Sequence, residues 1–182
     1  FFLLYGDNLI AREDLLGVCG ARYGMAGLRV ADARAFGVLE VVDGAVRRVI
    51  EKPPAPPPGA LVNPGIYHLD GAVFPLLEQI RPSPRGELEL TDLIGALAVE
   101  HSVRAHVCTG HWVPVGTPWE ALSAAQFLAA RQGGAQLQIH PEARVHPEAR
   151  IVGPTAIGAG AVVEAGALIE ASVLGAGAVV EA

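Results

Sequence analysis

The sequence predicts an α/β domain followed by a left-handed parallel β-helix. Three observations carry that expectation. Short β-rich runs alternate with helix-patterned stretches up to residue 132, a branched aliphatic recurs every sixth position from Ile139, and small residues fill the steps between. The first pattern is that of layered α/β domains. The second makes each hexapeptide one flat side of a triangular coil. The chain therefore divides into an α/β domain over 1–132 and a hexapeptide coil over 137–182.

In order, the strand candidates of the first domain are FFLLY, GLRV, FGVLEVV, VRRVIE, GIYHL and VRAHVC. Branched and aromatic residues fit a pleated, half-buried surface, which is why these runs read as strands. PPAPPPG, from Pro53 to Gly59, forms neither helix nor central strand and reads as an extended surface loop. Thr91 in GELELTD is placed to cap a helix. In GTPWEAL, Thr117 is the expected N-cap, Pro118 the first helical residue and Glu120 the far side of a capping box, with Gly133 and Gly134 ending the helix.

The coil is read from Ile139, Val145, Ile151, Ile157, Val163 and Ile169, each six residues after the last and each expected to fill the interior. Leu174 follows Ile169 by five, so one residue is deleted at a corner. The residues from Ile139 onward make roughly two and a half coils, fewer than the about three that stacked repeats need, so the coil is cut off or completed by another subunit. His140 and His146 lie on successive sides and read as surface residues rather than joint metal ligands.

Composition excludes several functions. A net charge of −6, from 13 basic and 19 acidic residues, argues against a nucleic-acid partner. Glu164, Glu170 and Glu181 interrupt the apolar C-terminal stretch, so no membrane span is expected. The cysteines, Cys19 and Cys108, read as buried thiols in a reducing, cytoplasmic setting.

Two stretches bear on chemistry. Asp7 follows an apolar strand, and at the carboxyl end of a parallel strand a carboxylate is placed for ligands or a divalent cation. Alone, it is an ordinary turn residue. Glu51 and Lys52 end another strand before the proline loop. Alone, they are an ordinary solvated pair.

Together, YGDN, GAVRRVIEKP, NPGIY, GELELTD and GHWVPVGTP resemble, in order and spacing, the sugar-phosphate nucleotidyltransferases over residues 1 to about 128. GELELTD looks most like the glucose-1-phosphate thymidylyltransferase branch, and an appended hexapeptide coil is familiar in such proteins. The resemblance implies a Rossmann-like nucleotidyltransferase domain, present here in part. It implies transfer of a nucleotidyl group from a nucleoside triphosphate, dTTP or UTP, to a sugar-1-phosphate such as glucose-1-phosphate, with Mg²⁺ as cofactor and release of pyrophosphate.

By motif position, Asp7 would ligate the metal and Lys52 would meet the sugar phosphate. Glu51 would accept hydrogen bonds from sugar hydroxyls, and Gly37 in AFGVLE would let the backbone approach the sugar. Asn63 and Tyr67 would contact the sugar or its phosphate, Trp112 would wall the pocket, and Glu87 and Asp92 are expected to be structural. A homo-oligomer formed through the coil is also implied.

Two departures stand out. The family's tryptophan motif carries a metal-binding aspartate two residues on, where this chain has Pro114. Either Asp7, the triphosphate and water hold the ion, or activity is lost. No G-x-G-T-R-like run occurs, so the phosphate-cradling loop is expected upstream of Phe1, and the segment alone should not turn over. Besides the enzyme, two readings therefore stay open: a non-catalytic subunit of the same fold, and a bifunctional nucleotidyltransferase/acyltransferase.

Overall fold

The computed structural model describes residues 1–83, 86–131 and 137–182. The chain forms two compact units, Phe1–Trp112 and Val113–Ala182.

In the first unit the strands are β1 (Phe2–Leu4), β2 (Asn8–Ile10), β3 (Tyr23–Arg29), β4 (Gly37–Val42), β5 (Ala45–Glu51), β6 (Leu61–Val62), β7 (Ile66–His68) and β8 (Val103–Val107). The helices are α1 (Arg12–Val18), α2 (Phe74–Leu77) and α3 (Leu90–Glu100). All six sequence-predicted strands are present. β2 and β6 were not foreseen, being too short to show a period of two.

A seven-stranded mixed sheet runs β1-β7-β3-β6-β4-β5-β8, with β3 also pairing β8. Residues Tyr23 to Gly27 of β3 lie parallel to Val103 to Val107 of β8, and the opposite edge of β3 pairs antiparallel with β7 and β6. β4 and β5 form a hairpin across Asp43 and Gly44, both at positive φ (50° and 77°), as tight two-residue turns require. Side chains alternate across β3: Met25 packs into the core that contains Leu93, Ile94 and Leu97 of α3, while the next residue, Ala26, packs with Val18 of α1. Helices on both faces make the layered α/β arrangement.

Three expectations need correction. β1 does not end as a parallel strand: it pairs antiparallel with β7, so Asp7 follows an antiparallel edge strand. Thr91 does not cap α3. The helix starts one residue before it, Glu89 holds the cap position, and Thr91 is buried in the first turn. Cys19 is exposed, because it caps the end of α1 instead of facing the sheet, whereas Cys108 is half-buried beside Val18, Ala26 and Ile66.

The second unit contains α4 (Pro118–Arg131) and the strands β10 (Leu137–Ile139), β11 (Arg144–Val145), β12 (Arg150–Val152), β13 (Thr155–Ile157), β14 (Val162–Val163), β15 (Leu168–Glu170), β16 (Val173–Leu174) and β17 (Val179–Val180). β9 (Trp112–Pro114) spans the division. Thr117 caps α4 as expected, the Glu120 N–H donating to Thr117 Oγ1 at 3.3 Å, but the other half of the box differs: Glu120 Oε2 accepts from the Thr117 hydroxyl at 3.0 Å rather than from its backbone N–H. Gly133 and Gly134 lie outside the described residues. Helix α4 packs on β13 and β16, so it groups with the second unit.

Each strand there pairs in parallel with the strand three places on. Ile151 aligns with Ile169, eighteen residues away, whereas Ile157 aligns with Leu174 and Val162 with Val179, each seventeen away. The missing residue falls beside Ala171, whose φ of 44° turns the corner. Ile157, Val163 and Ile169 are buried and Val145 and Ile151 half-buried against them, but Ile139, on the first strand of the repeat, is 45% exposed.

Candidate functional site

The sequence-predicted residues meet where β4 begins and β5 ends. Gly37 and Glu51 are cross-strand partners, and a Cβ at Gly37 would lie 2.8 Å from Glu51 Oε1. With Val49 Cγ1 at 2.9 Å as well, a larger residue there would have to displace the end of the Glu51 side chain and the Val49 methyl. The next residue, Lys52, has φ of 43°, uncommon for a residue with a Cβ, and its N–H donates to the Phe36 carbonyl at 3.1 Å. This closes the strand end and turns the chain into the proline loop, which is a surface loop as expected. Among the described residues, neither the half-buried Glu51 carboxylate nor the exposed Lys52 ammonium has a hydrogen-bond or ion-pair partner.

Asn63 joins this corner from the other side. Its backbone N–H donates to the Gly37 carbonyl at 2.8 Å. Its side-chain oxygen accepts from the Gly65 N–H at 2.9 Å, an Asx turn that accounts for Asn-Pro-Gly, and its amide nitrogen donates to the Tyr67 hydroxyl at 2.7 Å. Tyr67 is fully buried and contacts Asn63 and Tyr5, so it supports the site from beneath. Burial, then the neighbouring Tyr5 and the Glu51 charge, push its phenol far above the ordinary value, so it stays a neutral hydroxyl.

Trp112 reaches the corner through Phe36, with ring centroids 6.0 Å apart in an edge-on arrangement. Its indole N–H is buried without a hydrogen-bond partner among the described residues. Glu51 also lines a surface cavity of about 400 Å³ with Arg48, Ser83, Glu89, Thr91 and Asp92; Glu87 is not among its walls. Asp92 thus stands at a cavity shared with Glu51, nearer the site than its reading as a structural residue implied.

Asp7 stands apart. It is exposed in the turn after β1, and its carboxylate accepts from the Asn8 amide at 3.2 Å. Its link to the corner runs through Tyr5, two residues earlier, whose hydroxyl lies 3.5 Å from those of Tyr67 and from the Asn63 amide nitrogen. Pro114 lies in β9, and no group of three or more metal-ligating side chains occurs among the described residues.

Sequence reasoning missed Tyr5, Phe36 and the pair Asp14–His106. Tyr5 and Phe36 had a signal, each being an aromatic inside a quoted run, YGDN and AFGVLE. Asp14 and His106, 92 residues apart and joined at 3.0 Å, had none.

Comparison with known proteins identifies the family. The family model described as nucleotidyl transferase matches residues 20–131. The chain is 36% identical over 124 residues to a bifunctional sugar-1-phosphate nucleotidylyltransferase/acetyltransferase from Sulfurisphaera tokodaii, covering 66% of this chain and 30% of that protein. It is 38% identical over 138 residues to the low-salt glycan biosynthesis nucleotidyltransferase Agl11 of Haloferax volcanii, covering 70% and 38%. The chain thus spans about a third of the length of these curated relatives. Among solved structures, a protein described as a glucose-1-phosphate thymidylyltransferase from Bacillus anthracis superposes with a TM-score of 0.54 at 26% identity, over 68% of this chain and 52% of that one. With its α/β sheet, the corner formed by Gly37, Glu51, Lys52 and Asn63, and the match over 20–131, the chain belongs to the nucleotidyl transferase family.

Proposed function

We propose that this chain carries the sugar-phosphate half of a sugar-1-phosphate nucleotidyltransferase. The reaction joins the sugar-1-phosphate oxygen to the α-phosphorus of a nucleoside triphosphate and expels pyrophosphate. Glucose-1-phosphate with dTTP or UTP is the expected pair. The observation that carries this reading is the corner itself: an unpaired carboxylate, Glu51, next to an unpaired ammonium, Lys52, on strand ends fixed by Gly37 and Asn63.

That pair suits a sugar bearing a phosphate. The Glu51 carboxylate, which only accepts, takes hydrogen bonds from sugar hydroxyls, and the Lys52 ammonium neutralises the phosphate. Asn63, anchored through its oxygen and one N–H, keeps a second N–H whose nearest partner is the distant Tyr5 hydroxyl. Fixing the sugar phosphate in one orientation is the larger part of such catalysis, because phosphoryl transfer rests on positioning and charge cancellation.

A single exposed carboxylate, Asp7, fits an ion held chiefly by phosphate oxygens and water, as Mg²⁺ commonly is, and does not fit a cage of protein ligands. When bound, Mg²⁺ offsets triphosphate charge. The same reading places the protein in the cytoplasm. No helix among the described residues is long and apolar enough to cross a membrane.

For the second unit we propose a left-handed parallel β-helix through which copies associate. It is supported by the three-strand repeat and the eighteen-residue register. Pro114 favours one other reading, a non-catalytic subunit of the same fold. Pyrophosphate release by the full-length protein from glucose-1-phosphate, dTTP or UTP, and Mg²⁺ supports the enzyme. No release with any sugar phosphate or nucleotide leaves the subunit.

A further inference from the structure

We infer that Asp14 is a positioning residue for the sugar-phosphate pocket: its buried carboxylate fastens the loop that presents Trp112. The inference rests on the function proposed above. Asp14 sits on α1 and is 1% exposed. Such a group is far more often a surface residue on a helix, so its burial needs a cause. The cause is three donors. Oδ1 accepts from His106 Nε2 and from the Thr109 N–H, each at 3.0 Å, and Oδ2 accepts from the Gly110 N–H at 3.0 Å. Two of these donors are backbone groups of the turn that leads into Trp112.

A second tie lies alongside. The Ala11 N–H donates to the His111 carbonyl at 3.0 Å, so three consecutive residues, Thr109 to His111, are bound to the first turn of α1. The two ends of this clasp adjoin different parts of the candidate site. Ala11 follows Asp7 by four residues, and Trp112 is the residue after His111. The clasp therefore sets the place of Trp112, and through the ring contact it sets the place of Phe36, whose carbonyl holds Lys52.

Charge matters as well as shape. A carboxylate accepts from all three donors, whereas an asparagine amide turns an N–H toward at least one of them. In Asp14→Asn a buried backbone N–H or the His106 ring is left facing another donor, and the loop moves away. Asp14 touches no substrate in this account. It acts on binding through Trp112.

The test uses Trp119→Phe as the parent, since Trp119 is exposed and the chain has two tryptophans, leaving Trp112 as the sole indole. Emission and acrylamide quenching of Trp112, and its response to glucose-1-phosphate, are compared among the parent, Asp14→Asn and Val73→Ala. Val73 is a core residue outside the site and serves as the control for lost stability. Asp14→Asn is expected to red-shift Trp112, raise its quenching several-fold and weaken glucose-1-phosphate binding about tenfold or more, whereas Val73→Ala loses thermal stability but keeps both. Unchanged emission and affinity in Asp14→Asn overturn the inference, as does equal loss in Val73→Ala. If the parent itself does not respond to glucose-1-phosphate, the proposed function fails. The quenching of Trp112 then decides alone whether Asp14 holds the loop.

Discussion

The amide nitrogen of Asn63 donates to the hydroxyl of Tyr67 at 2.7 Å, between two groups that are both buried. That bond ties the Asn-Pro-Gly turn to the core strand β7, and with it the Gly37 carbonyl that the Asn63 backbone holds. Asn63→Ala removes this bond and the partner of the Gly65 N–H, so it is expected to cost about 1–3 kcal/mol, read as a lower midpoint in urea. Tyr67→Phe removes one bond and should cost about 0.5–1.5 kcal/mol.

Gly65 has φ of 78°, and a Cβ there would run into the Tyr5 ring. Gly65→Ala should therefore destabilise the protein by about 1–3 kcal/mol and displace Tyr5. Thermal denaturation checks the first. Altered accessibility of the Tyr5 phenol checks the second.

Asp14 predicts a pH dependence. Burial raises its carboxyl pKa, but the hydrogen bonds from His106, Thr109 and Gly110 and the charge of His106 outweigh this and hold it below its ordinary value of 3.8. A folded-state value below the unfolded one means stability that is present above pH 3.8 and is lost as the pH falls through the lowered value. Acid titration of stability should show a drop in the parent there and a shallower one in Asp14→Asn. Parallel curves would contradict the assignment.

Lys52→Ala should weaken glucose-1-phosphate binding about tenfold or more, the scale of a lost charge-assisted bond, and leave unphosphorylated glucose unaffected. Calorimetric titration of both ligands reads the difference. Equal loss for both would assign Lys52 to the fold.

Pro114 stands where the resemblance implies a second metal-binding aspartate. Pro114→Asp should increase Mg²⁺-dependent nucleotide binding or turnover in the full-length protein. No change would mean that the ion is held otherwise.

Legibility followed distance along the chain. The hexapeptide phase forecast the buried or half-buried aliphatics from Val145 to Ile169, though not the exposed Ile139, and the one-residue deletion between Ile169 and Leu174, because both are local. Gly37, Glu51, Lys52 and Asn63 were singled out because each sits in a short motif, and what brings them to one corner is a cross-strand pair and a backbone bond. Thr91 misled because a capping residue and a buried first-turn residue look alike in sequence. Nothing local marks Asp14 and His106 as partners, since the packing of α1 on β8 brings them together. Asp7 was placed on a parallel strand by its apolar run, but such a run does not encode strand direction, and its neighbour β7 is antiparallel.

The most direct test of the central claim is a glucose-1-phosphate titration of this chain followed residue by residue through its backbone amide NMR signals. Saturable shifts at Gly37, Glu51, Lys52 and Asn63, much weaker with glucose, are predicted. Shifts confined to the proline loop, or none at ligand levels far above those of cells, would contradict it.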